Sequence, residues 1–390
     1  MRTRQKQWKA SSGWQDRISG ARAFDAHDAA SGAQWIIAFG DGKLLADSDA
    51  LVELAKAYPT ALIVGCSTAG EILDTEVFDG SLVATIVDFD HTQLRLAQAS
   101  ISAAQQSHEV GAALAAQLLG PELQHVMVLS DGLSVNGTTL VSGLREHLPP
   151  DVAVTGGLAG DSDRFQHTFV YANGVAREQQ VIAIGFYGTS LRVGYGSLGG
   201  WDSFGPERLI TRAEGNVLYE VDGRSALGLY KEYLGEHAAG LPATALLFPL
   251  ALRSEHGDYS LVRTVLAIDE DAGSMTFAGD MPQGSYARLM KANFDRLIDG
   301  AAEAARGGLQ GLHGFAPELA ILISCVGRKL LLKQRVEEEV ESVREVLGAS
   351  AAITGFYSYG EICPHGAIQR CELHNQTMTI TTFAETTADS

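Results

Sequence analysis

The sequence has few cysteines and an excess of acidic over basic residues, and it has no long apolar run. Four cysteines spread over 390 residues are too few and too dispersed for the disulfide framework of a small secreted protein. No apolar stretch approaches the roughly 18 residues of a membrane span. The net charge of −18 opposes binding to nucleic acid or an anionic membrane, because both need basic patches. We therefore expect a cytoplasmic protein that binds neither.

The length of the chain predicts more than one lobe. At 390 residues it exceeds the roughly 250–300 residues at which a single core stops growing. The N-terminal segment is polar and basic and has no apolar stretch, so it does not resemble a signal peptide. We expect residues 1–30 to form a flexible N-terminal arm.

One pattern occurs three times along the chain. An apolar, strand-like run ends in a glycine loop that closes with a carboxylate. The copies are residues 62–71, 152–161 and 352–361, which close with Glu71, Asp161 and Glu361. The first and third align as G-x-x-x-x-G-E-I, and the second is one residue shorter. Each copy follows another apolar run and a helical segment, which is the order of a βαβ unit.

The repeated units predict the fold class and the place of a ligand site. Further strand-like segments after each copy indicate added hairpins. We therefore predict an α/β fold of repeated βαβ-like units with appended β-hairpins, in two lobes that share an internal duplication. Because ligands bind at the carboxyl ends of the strands in open α/β sheets, the three loops suggest one composite site.

Several other elements are predicted from capping residues and periodicity. Asn136 or Thr138 is expected to cap a helix over residues 134–148. A helix over residues 331–347 is expected to stop at Gly348. Helices are also expected over residues 213–234 and 286–306, with strands over residues 245–252, 261–268 and 274–278.

Several motifs resemble those of a known family. Gly65-Cys-Ser-Thr-Ala-Gly-Glu-Ile72 resembles the signature of the FIST N-terminal domain. Other segments are similar to the FIST C-terminal domain: residues 248–250, 277–282, 324–328, 357–362 and 373–377. The resemblance covers nearly the whole chain. It divides the chain into a FIST N-like domain at residues 31–230 and a FIST C-like domain at residues 231–385.

The resemblance implies a bacterial sensory protein, not an enzyme. The family is regarded as binding small ligands, with amino acids proposed, and as feeding two-component or cyclic-di-nucleotide signalling. A subset of stand-alone members with a similar layout binds haem and senses nitric oxide. The implied partner is a sensor histidine kinase or a cyclic-di-nucleotide enzyme, and the implied cofactor of that subset is haem b. The oligomeric state stays open.

The loops supply the candidate ligand-binding residues. They are Cys66, Ser67, Thr68, Gly70, Glu71, Gly160, Asp161, Tyr357, Tyr359 and Glu361. An amino-acid-like ligand would pair its ammonium group with one of the carboxylates and its own carboxylate with Arg253 or Arg328, since arginine suits a bidentate grip. The alternative is that each carboxylate caps its own loop or pairs with an arginine.

The first and third loops differ in side-chain size. The third loop carries Phe356, Tyr357 and Tyr359 where the first has Cys66, Ser67 and Ala69. This contrast favours a pocket wall that faces an opening, because tyrosine offers an apolar face and a hydroxyl. Asymmetric packing between lobes is the alternative.

Haem would need an axial ligand, and two histidines are candidates. His365 follows Cys363 and Pro364 in a pattern similar to a cysteine-proline haem-regulatory element, and His374 precedes a strand-like tail. For both, an ordinary hydrogen-bonding role is the alternative.

Two other function classes stay open. A thiol-dependent hydrolase would use Cys66, or Cys363 with His365, as its nucleophile and base. A packed structural thiol competes with that interpretation at Cys66, because no partner histidine stands in a recognised arrangement. The third class is a scaffold that binds no small molecule.

Overall fold

The computed structural model describes residues 1–17, 33–253, 260–365 and 370–386. Within these ranges, three sheets share apolar cores, and a fourth sheet encloses a core of its own. The predicted α/β class is confirmed. In the ranges described, no helix combines the length and the apolarity needed to cross a bilayer.

The first unit is built on two parallel strands joined through helices. Its elements are β1 (Arg2–Lys9), β2 (Gly13–Arg17), β3 (Trp35–Gly40), α1 (Gly42–Asp47), α2 (Ala50–Ala57), β4 (Leu62–Ser67), β5 (Glu71–Leu73), β6 (Glu76–Phe78) and β7 (Leu82–Asp88). Strands β3 and β4 pair in parallel, and every residue of β3 is buried. Such a run is typical of a strand covered on both faces.

The predicted flexible arm is corrected for residues 1–17. Strand β1 pairs with β7 from Arg2 to Trp8, and alternate side chains of β1 are buried. This period of two seats one face of the hairpin on the protein. Residues 18–30 of the predicted arm lie outside the described residues.

The second unit repeats this plan. Its elements are β8 (Gln93–Ser100), α3 (Ser107–Leu118), β9 (Leu123–Ser130), α4 (Gly137–His147), β10 (Ala153–Leu158), β11 (Val170–Ala172), β12 (Val175–Arg177) and β13 (Gln180–Tyr187). The side chain of Asn136 accepts hydrogen bonds from the backbone N–H groups of Thr138 and Thr139. Asn136 is therefore the N-cap of α4. Of the two predicted caps, Asn136 is confirmed and Thr138 is not.

A separate domain interrupts the third unit after its first strand, β14 (Leu191–Leu198). The elements of this inserted domain are β15 (Trp201–Glu214), β16 (Val217–Val221), β17 (Arg224–Ser225), α5 (Ala226–Leu234), β18 (Leu250–Arg253), β19 (Ser260–Arg263), β20 (Val265–Asp269), β21 (Ser274–Phe277) and β22 (Tyr286–Ala292). The helix predicted over residues 213–234 is therefore wrong before residue 226, and the helix predicted over residues 286–306 is wrong before residue 294. Most of these residues belong to strands, where cross-strand pairing outweighs local helix propensity.

The third unit then resumes. Its remaining elements are α6 (Phe294–Gln310), β23 (Leu319–Cys325), α7 (Val326–Leu332), α8 (Val336–Leu347), β24 (Ala352–Ser358), β25 (Gly360–His365), β26 (Arg370–His374) and β27 (Met378–Glu385). Helix α8 ends at Gly348, whose φ is 78°. This left-handed conformation favours glycine, and the predicted stop is confirmed.

The three units exchange hairpins in a cycle. The β5–β6 hairpin of the first unit joins the sheet of the third, β25–β26 of the third joins the second, and β11–β12 of the second joins the first. The sheets of the three units then share one strand order: a borrowed hairpin, the second core strand, the first core strand, the third core strand and a further strand, which in the first sheet pairs with β2. The repetition is therefore threefold about a central pseudo-symmetry axis, and the appended hairpins complete neighbouring units.

Aromatic side chains from all three units meet near the end of this axis where the parallel strands begin. The ring of Phe186 lies 5.3 Å from Trp35 and 5.3 Å from Phe383 between centroids. Trp35 stands at the start of β3. The glycine loops follow the other ends of these strands, so the sequence repeats place them together at the opposite end of the axis.

Candidate ligand-binding site

The three glycine loops meet in a ring of backbone hydrogen bonds. Ala69 N donates to Tyr357 O at 2.8 Å, Tyr359 N to Leu158 O at 3.2 Å, and Gly160 N to Ser67 O at 3.0 Å. Each loop donates to one neighbour and accepts from the other. The loops therefore converge, as the repeated strand-loop pattern suggested.

Glu71 is buried beneath the ring with only 1% of its surface exposed. Its carboxyl group accepts hydrogen bonds from Thr68 Oγ1 and Ser81 Oγ, both at 2.8 Å. Burial raises the pKa of Glu71 to about 8, against the opposing effect of these two hydroxyl donors. The group is thus held in its neutral form near pH 7 and ties its own loop to the start of β7.

Glu361 repeats this arrangement in the third unit. It accepts hydrogen bonds from Ser358 Oγ at 2.6 Å and Thr377 Oγ1 at 3.0 Å. Burial raises the pKa of Glu361 to about 8 as well. Each carboxyl group already accepts two hydroxyl hydrogen bonds, and this geometry favours the alternative in which a carboxyl group holds its own loop.

Asp161 caps its own loop. Its carboxylate accepts the backbone N–H groups of Phe165 at 2.9 Å, Gln166 at 3.0 Å and His167 at 3.1 Å. The hydroxyl of Tyr359 also donates to Asp161. The capping alternative therefore describes Asp161, and the predicted ligand contact is corrected.

A cleft of about 690 Å³ opens beside the first loop, where all three units meet. The first loop contributes residues 68–71, including Thr68 and Gly70 of the predicted set. The turn after β6 contributes Asp79 and Gly80, and the second unit contributes residues 162–164. The third unit contributes residues of α7, the turn that follows it and the start of α8. Of the predicted carboxylates, only Glu71 reaches this cleft.

The cleft carries both signs of charge. Its cationic side chains are Arg164, Lys329 and Lys333, and its acidic ones, besides Glu71, are Asp41, Asp79 and Asp163. Apolar side chains of α7 and α8, among them Val326, Leu330 and Val336, form another part of the wall. A small molecule with both charges and a short apolar part would match this lining.

Lys329 joins α7 of the third unit to the first unit across the cleft. Its ammonium Nζ donates to the carbonyl oxygen of Ala69 at 2.8 Å and forms an ion pair with Asp79. The same nitrogen lies 5.7 Å from the ring centroid of Tyr357. The side chain is only 15% exposed, so its charge is screened by water less than that of a surface lysine.

Arg164 stands at the rim with half of its side chain exposed. Its guanidinium lies 3.8 Å from a carboxylate oxygen of Asp41 and 3.8 Å from one of Asp161. These separations are too long for hydrogen bonds, and such exposed ion pairs contribute little. Arg164 is therefore a cation that a ligand carboxylate can reach without breaking a strong contact.

Three residues donate the backbone hydrogen bonds that join the loops, and one of them, Ala69, borders the cleft. Ala69, Gly160 and Tyr359 occupy matching places in the ring of backbone hydrogen bonds. The ring of Tyr359 stacks on Phe165 at 4.5 Å, so the third position is filled. A Cβ added to Gly160 would lie 3.1 Å from the backbone nitrogen of Ala69. The small side chain of Ala69 leaves the first position free to border the cleft.

Arg328 and Tyr357 do not face the cleft, and their predicted ligand contacts are corrected. Arg328 donates from Nε at 2.9 Å and from Nη2 at 2.7 Å to Glu339. It also donates to the carbonyl oxygens of Gly199 at 2.5 Å and Leu297 at 2.7 Å. Tyr357 donates to the same Glu339 at 2.8 Å. All three side chains are fully buried, and a buried ion pair needs these partners.

Arg253 lies in the inserted domain, on β18. It forms an ion pair with Glu207 at 2.7 Å, and its guanidinium lies 4.7 Å from the ring centroid of Tyr286. It does not line the cleft, so the predicted pairing of Arg253 with a ligand in the loops is corrected.

The predicted nucleophiles are enclosed. Cys66 is fully buried, and burial raises the pKa of its thiol well above the ordinary value. Burial likewise raises the pKa of the Cys363 thiol. The neighbouring Ser67 accepts a hydrogen bond from Phe169 N at 2.9 Å. These groups pack below the ring, and a protonated, buried thiol is a weak nucleophile.

One of the two candidate haem ligands, His374, is enclosed in the fold. His374 is 3% exposed, and its Nε2 lies 3.0 Å from the carbonyl oxygen of Cys363. This contact uses one ring nitrogen of His374 and is the ordinary hydrogen-bonding role that was the alternative to haem ligation. His365 ends β25, and its side chain lies outside the described residues. Within the described ranges, no group of three or more His, Cys, Asp or Glu side chains is placed to hold a metal ion.

Sequence reasoning missed Lys329, Arg164 and Asp79. Lys329 directly follows Arg328, and adjacent helical residues point about 100° apart. One of them therefore enters the core while the other reaches the cleft. The sequence does indicate that a helix starts directly after β23, and this places Arg328 and Lys329 near the loops. It does not indicate which of the two side chains turns into the core.

Comparisons with known proteins agree with the motifs. A FIST N domain matches residues 34–224, and a FIST C domain matches residues 226–364. An uncharacterized protein of Methanocaldococcus jannaschii is 25% identical over 210 residues, which are 49% of this chain and 39% of that relative. The match thus spans well under half the length of the relative.

Two solved structures share low similarity with the chain. A cyanuric acid hydrolase from A. caulinodans is 8% identical with a TM-score of 0.35 over 92% of each chain. A chorismatase is 10% identical with a TM-score of 0.34 over 98% of each chain. Similarity at this level carries no argument about activity. The two matched domains together cover residues 34–224 and 226–364, so the chain belongs to the FIST-domain family, whose domains sense small ligands in signalling proteins.

Proposed function

We propose that the chain is a cytoplasmic sensor that binds an amino-acid-like zwitterion in the cleft beside the first loop. The observation that carries this proposal is the cleft's paired lining, with Arg164, Lys329 and Lys333 set among Asp41, Asp79 and Asp163. A ligand of one charge would meet repulsion from half of this lining. A zwitterion would satisfy both halves.

The ligand carboxylate would bind at Lys329 and Arg164. Lys329 is already fixed by Ala69 O, so little side-chain entropy is lost when it gains a further partner. Arg164 adds a planar fork that suits a carboxylate. The ligand ammonium group would then lie toward Asp41, Asp79 or Asp163, which are ordinary acceptors for it. The volume of about 690 Å³ falls within the roughly 300–1,000 Å³ of small-molecule sites.

The position of the cleft also suits a sensor. Its walls come from all three units, and Asp79 directly follows the β5–β6 hairpin that completes the third sheet. A ligand that contacts these walls stabilises one arrangement of the units over others, in proportion to its differential affinity. We infer that this arrangement is read by a separate signalling enzyme, a histidine kinase or a cyclic-di-nucleotide enzyme.

We also infer that the chain binds its ligand without converting it. The enclosed thiols of Cys66 and Cys363 support this inference, because both have raised pKa values from burial. Haem is not part of this proposal, which rests on the lining of the cleft.

Titration calorimetry with the proteinogenic amino acids would test the ligand proposal. A true ligand at a hundred times its Kd should add about 2.7 kcal/mol to the free energy of unfolding. Lys329→Gln should weaken binding at least about tenfold. Lys231→Gln is the matched control, because Lys231 is a helical lysine paired with a carboxylate, Glu270, outside the cleft. Equal affinities in the two variants would refute the cleft as the site.

The signalling step needs a separate measurement. The chain, with and without its ligand, would be added to autophosphorylating histidine kinases and to cyclic-di-nucleotide synthesis assays from the same organism. A ligand-dependent change in one enzyme's rate is expected, and Lys329→Gln should abolish its dependence on ligand. If no enzyme responds while the ligand binds, the proposed output is wrong but the binding site stands.

A further inference from the structure

A second cleft borders the start of β10, whereas the glycine loop of the second unit follows the other end of that strand. We call it the proline cleft. Its lining consists of Arg145, residues 148–153, Tyr195, Pro364 and Cys371. Its volume is about 690 Å³, within the roughly 300–1,000 Å³ of small-molecule sites. None of its lining residues borders the cleft beside the first loop.

Proline rings give the proline cleft rigid apolar walls. Two consecutive prolines, residues 149–150, follow the C-cap of α4, and a proline restricts both its own backbone and that of the residue before it. Pro364 stands in β25 opposite Cys371 of β26. Tyr195, half-buried on β14, adds an aromatic surface. Walls fixed in this way lose little conformational entropy when a flat apolar group packs against them.

Arg145 supplies a cation that no protein group neutralises. Its side chain is half-buried in the last turn of α4. Among the residues that the structure describes, its guanidinium has no hydrogen-bond or ion-pair partner. Burial raises the pKa of the neighbouring Cys371 thiol, and the charge of Arg145 opposes that rise, so the guanidinium lies near the floor of the proline cleft. A cation that is partly removed from water and unpaired favours an anionic ligand.

The other polar groups of the lining limit which anion fits. The Cys371 thiol already donates to the carbonyl oxygen of Val154 at 3.1 Å. Asp151 is exposed and would repel a second negative charge, although water screens it.

We propose that the proline cleft binds a small aromatic monocarboxylic acid. Its ring would pack against the prolines and Tyr195, and its carboxylate would pair with Arg145, whose planar fork suits a carboxylate. This site is independent of the cleft beside the first loop, and therefore of the proposed function.

Titration calorimetry of the full chain with three probes would test the proposal. Indole-3-acetate has both the ring and the charge, indole-3-acetamide has the ring without the charge, and acetate has the charge alone. We expect a Kd of about 1 mM or lower for indole-3-acetate. The amide should bind at least about tenfold more weakly, and acetate should not bind up to about 10 mM. Equal affinities of the acid and the amide, or no binding of the acid at that concentration, would overturn the proposal.

A charge variant isolates the carboxylate contact. Arg145→Gln removes no side-chain hydrogen bond or ion pair within the described ranges, so the variant should fold normally. It should weaken indole-3-acetate at least about tenfold and leave indole-3-acetamide unchanged. Arg306→Gln is the matched control, because Arg306 is an exposed helical arginine that pairs with Glu303 and does not line the proline cleft. Equal effects of the two substitutions on indole-3-acetate would contradict the assignment.

A size variant locates the bound ring. Ala153 is half-buried at the start of β10 and lines the proline cleft. Ala153→Leu places a larger side chain in the space and should weaken both indole probes at least about tenfold, with folding checked by circular dichroism. Unchanged affinity in the folded variant would overturn the proposal. Lys329→Gln should leave the binding of both probes unchanged. A loss there would assign the probes to the cleft beside the first loop, which would overturn this inference and leave the proposed function standing.

Discussion

Lys329 of the third unit donates a hydrogen bond across the unit interface to the carbonyl oxygen of Ala69, 2.8 Å away. Its side chain lies directly over Gly70, where an added Cβ would be 2.3 Å from Nζ. Gly70 also has a φ of 137°, a conformation that residues with a side chain rarely adopt. The glycine of the repeated loop is therefore needed both for its backbone conformation and for the lysine beside it.

Gly70→Ala should displace Lys329 and impair the cleft. The new methyl group would force Nζ away from Ala69, and the backbone strain would cost about 1–3 kcal/mol. We expect affinity for the cleft ligand to fall at least about tenfold. Calorimetry would give the affinity, and urea unfolding would give the stability.

Gly13→Ala provides the control for Gly70→Ala. Gly13 has a φ of 66°, also left-handed, but it does not line the cleft, and an added Cβ would meet nothing within 4 Å. This variant should lose about 1 kcal/mol from backbone strain and retain the ligand. If both variants lose the ligand equally, the position of Lys329 does not determine binding.

The sequence predicted the units better than their connections. Continuous apolar runs such as Trp35–Gly40 identify buried strands, and their order along the chain gives the βαβ units. The exchange of hairpins was not predictable, because Glu71–Leu73 is only three residues long and its partner is Thr354–Phe356, far along the chain. Three residues carry too little period-two signal to specify a distant register.

The candidate site was likewise predictable only in part. Convergence of the loops followed from the repeat, since parallel strands end at one edge. The role of Glu71 did not, because it depends on Ser81 reaching its carboxyl group at 2.8 Å. That contact exists only in the folded chain. Nor could spacing show that Arg328 turns inward to Glu339 while Lys329 turns outward to Asp79.

Removal of one partner from the buried ion pair of Arg328 and Glu339 should destabilise the fold strongly. Glu339→Gln removes the charge that compensates a fully buried guanidinium, and breaking such a pair costs about 3–5 kcal/mol. Glu338→Gln, one residue away, breaks an exposed pair with Arg335 and should cost less than about 1 kcal/mol. Urea unfolding of both variants would measure the difference. Similar losses would show that Arg328 relies on its carbonyl partners instead.

The four thiols should react only after unfolding. Cys66, Cys325 and Cys363 are fully buried and Cys371 is 5% exposed, and burial raises the pKa of each thiol. A thiol reagent such as Ellman's should label none of them in the native chain at neutral pH and all four in denaturant. Rapid labelling of native Cys66 or Cys363 would instead revive the thiol-hydrolase interpretation.

Glu71 and Glu361 should make the fold less stable as the pH rises toward 8. Each carboxyl group has a pKa near 4.5 in an unfolded chain and about 8 in the folded protein, because of burial. Between these values the unfolded state has lost the proton that the folded state still holds. Stability is therefore greatest below pH 4.5 for these groups, falls with rising pH, and levels off above about 8. The slope is at most about 1.4 kcal/mol per pH unit for each group.

His125 has the opposite effect on stability, but only below pH 6.5. The effect of the two glutamates should therefore be measured above that pH. Burial lowers the pKa of His125 from 6.5 to about 3, so its contribution rises between these values and is constant above 6.5. From pH 6.5 to 8 the slope from Glu71 and Glu361 should appear without it. Urea unfolding across this window should show a falling stability, and Glu71→Gln should reduce the slope by about half, since it keeps the neutral shape without the titration. An unchanged slope in Glu71→Gln would mean that Glu71 is ionised in the folded protein, and its carboxylate would then be available to the ammonium group of a ligand in the cleft.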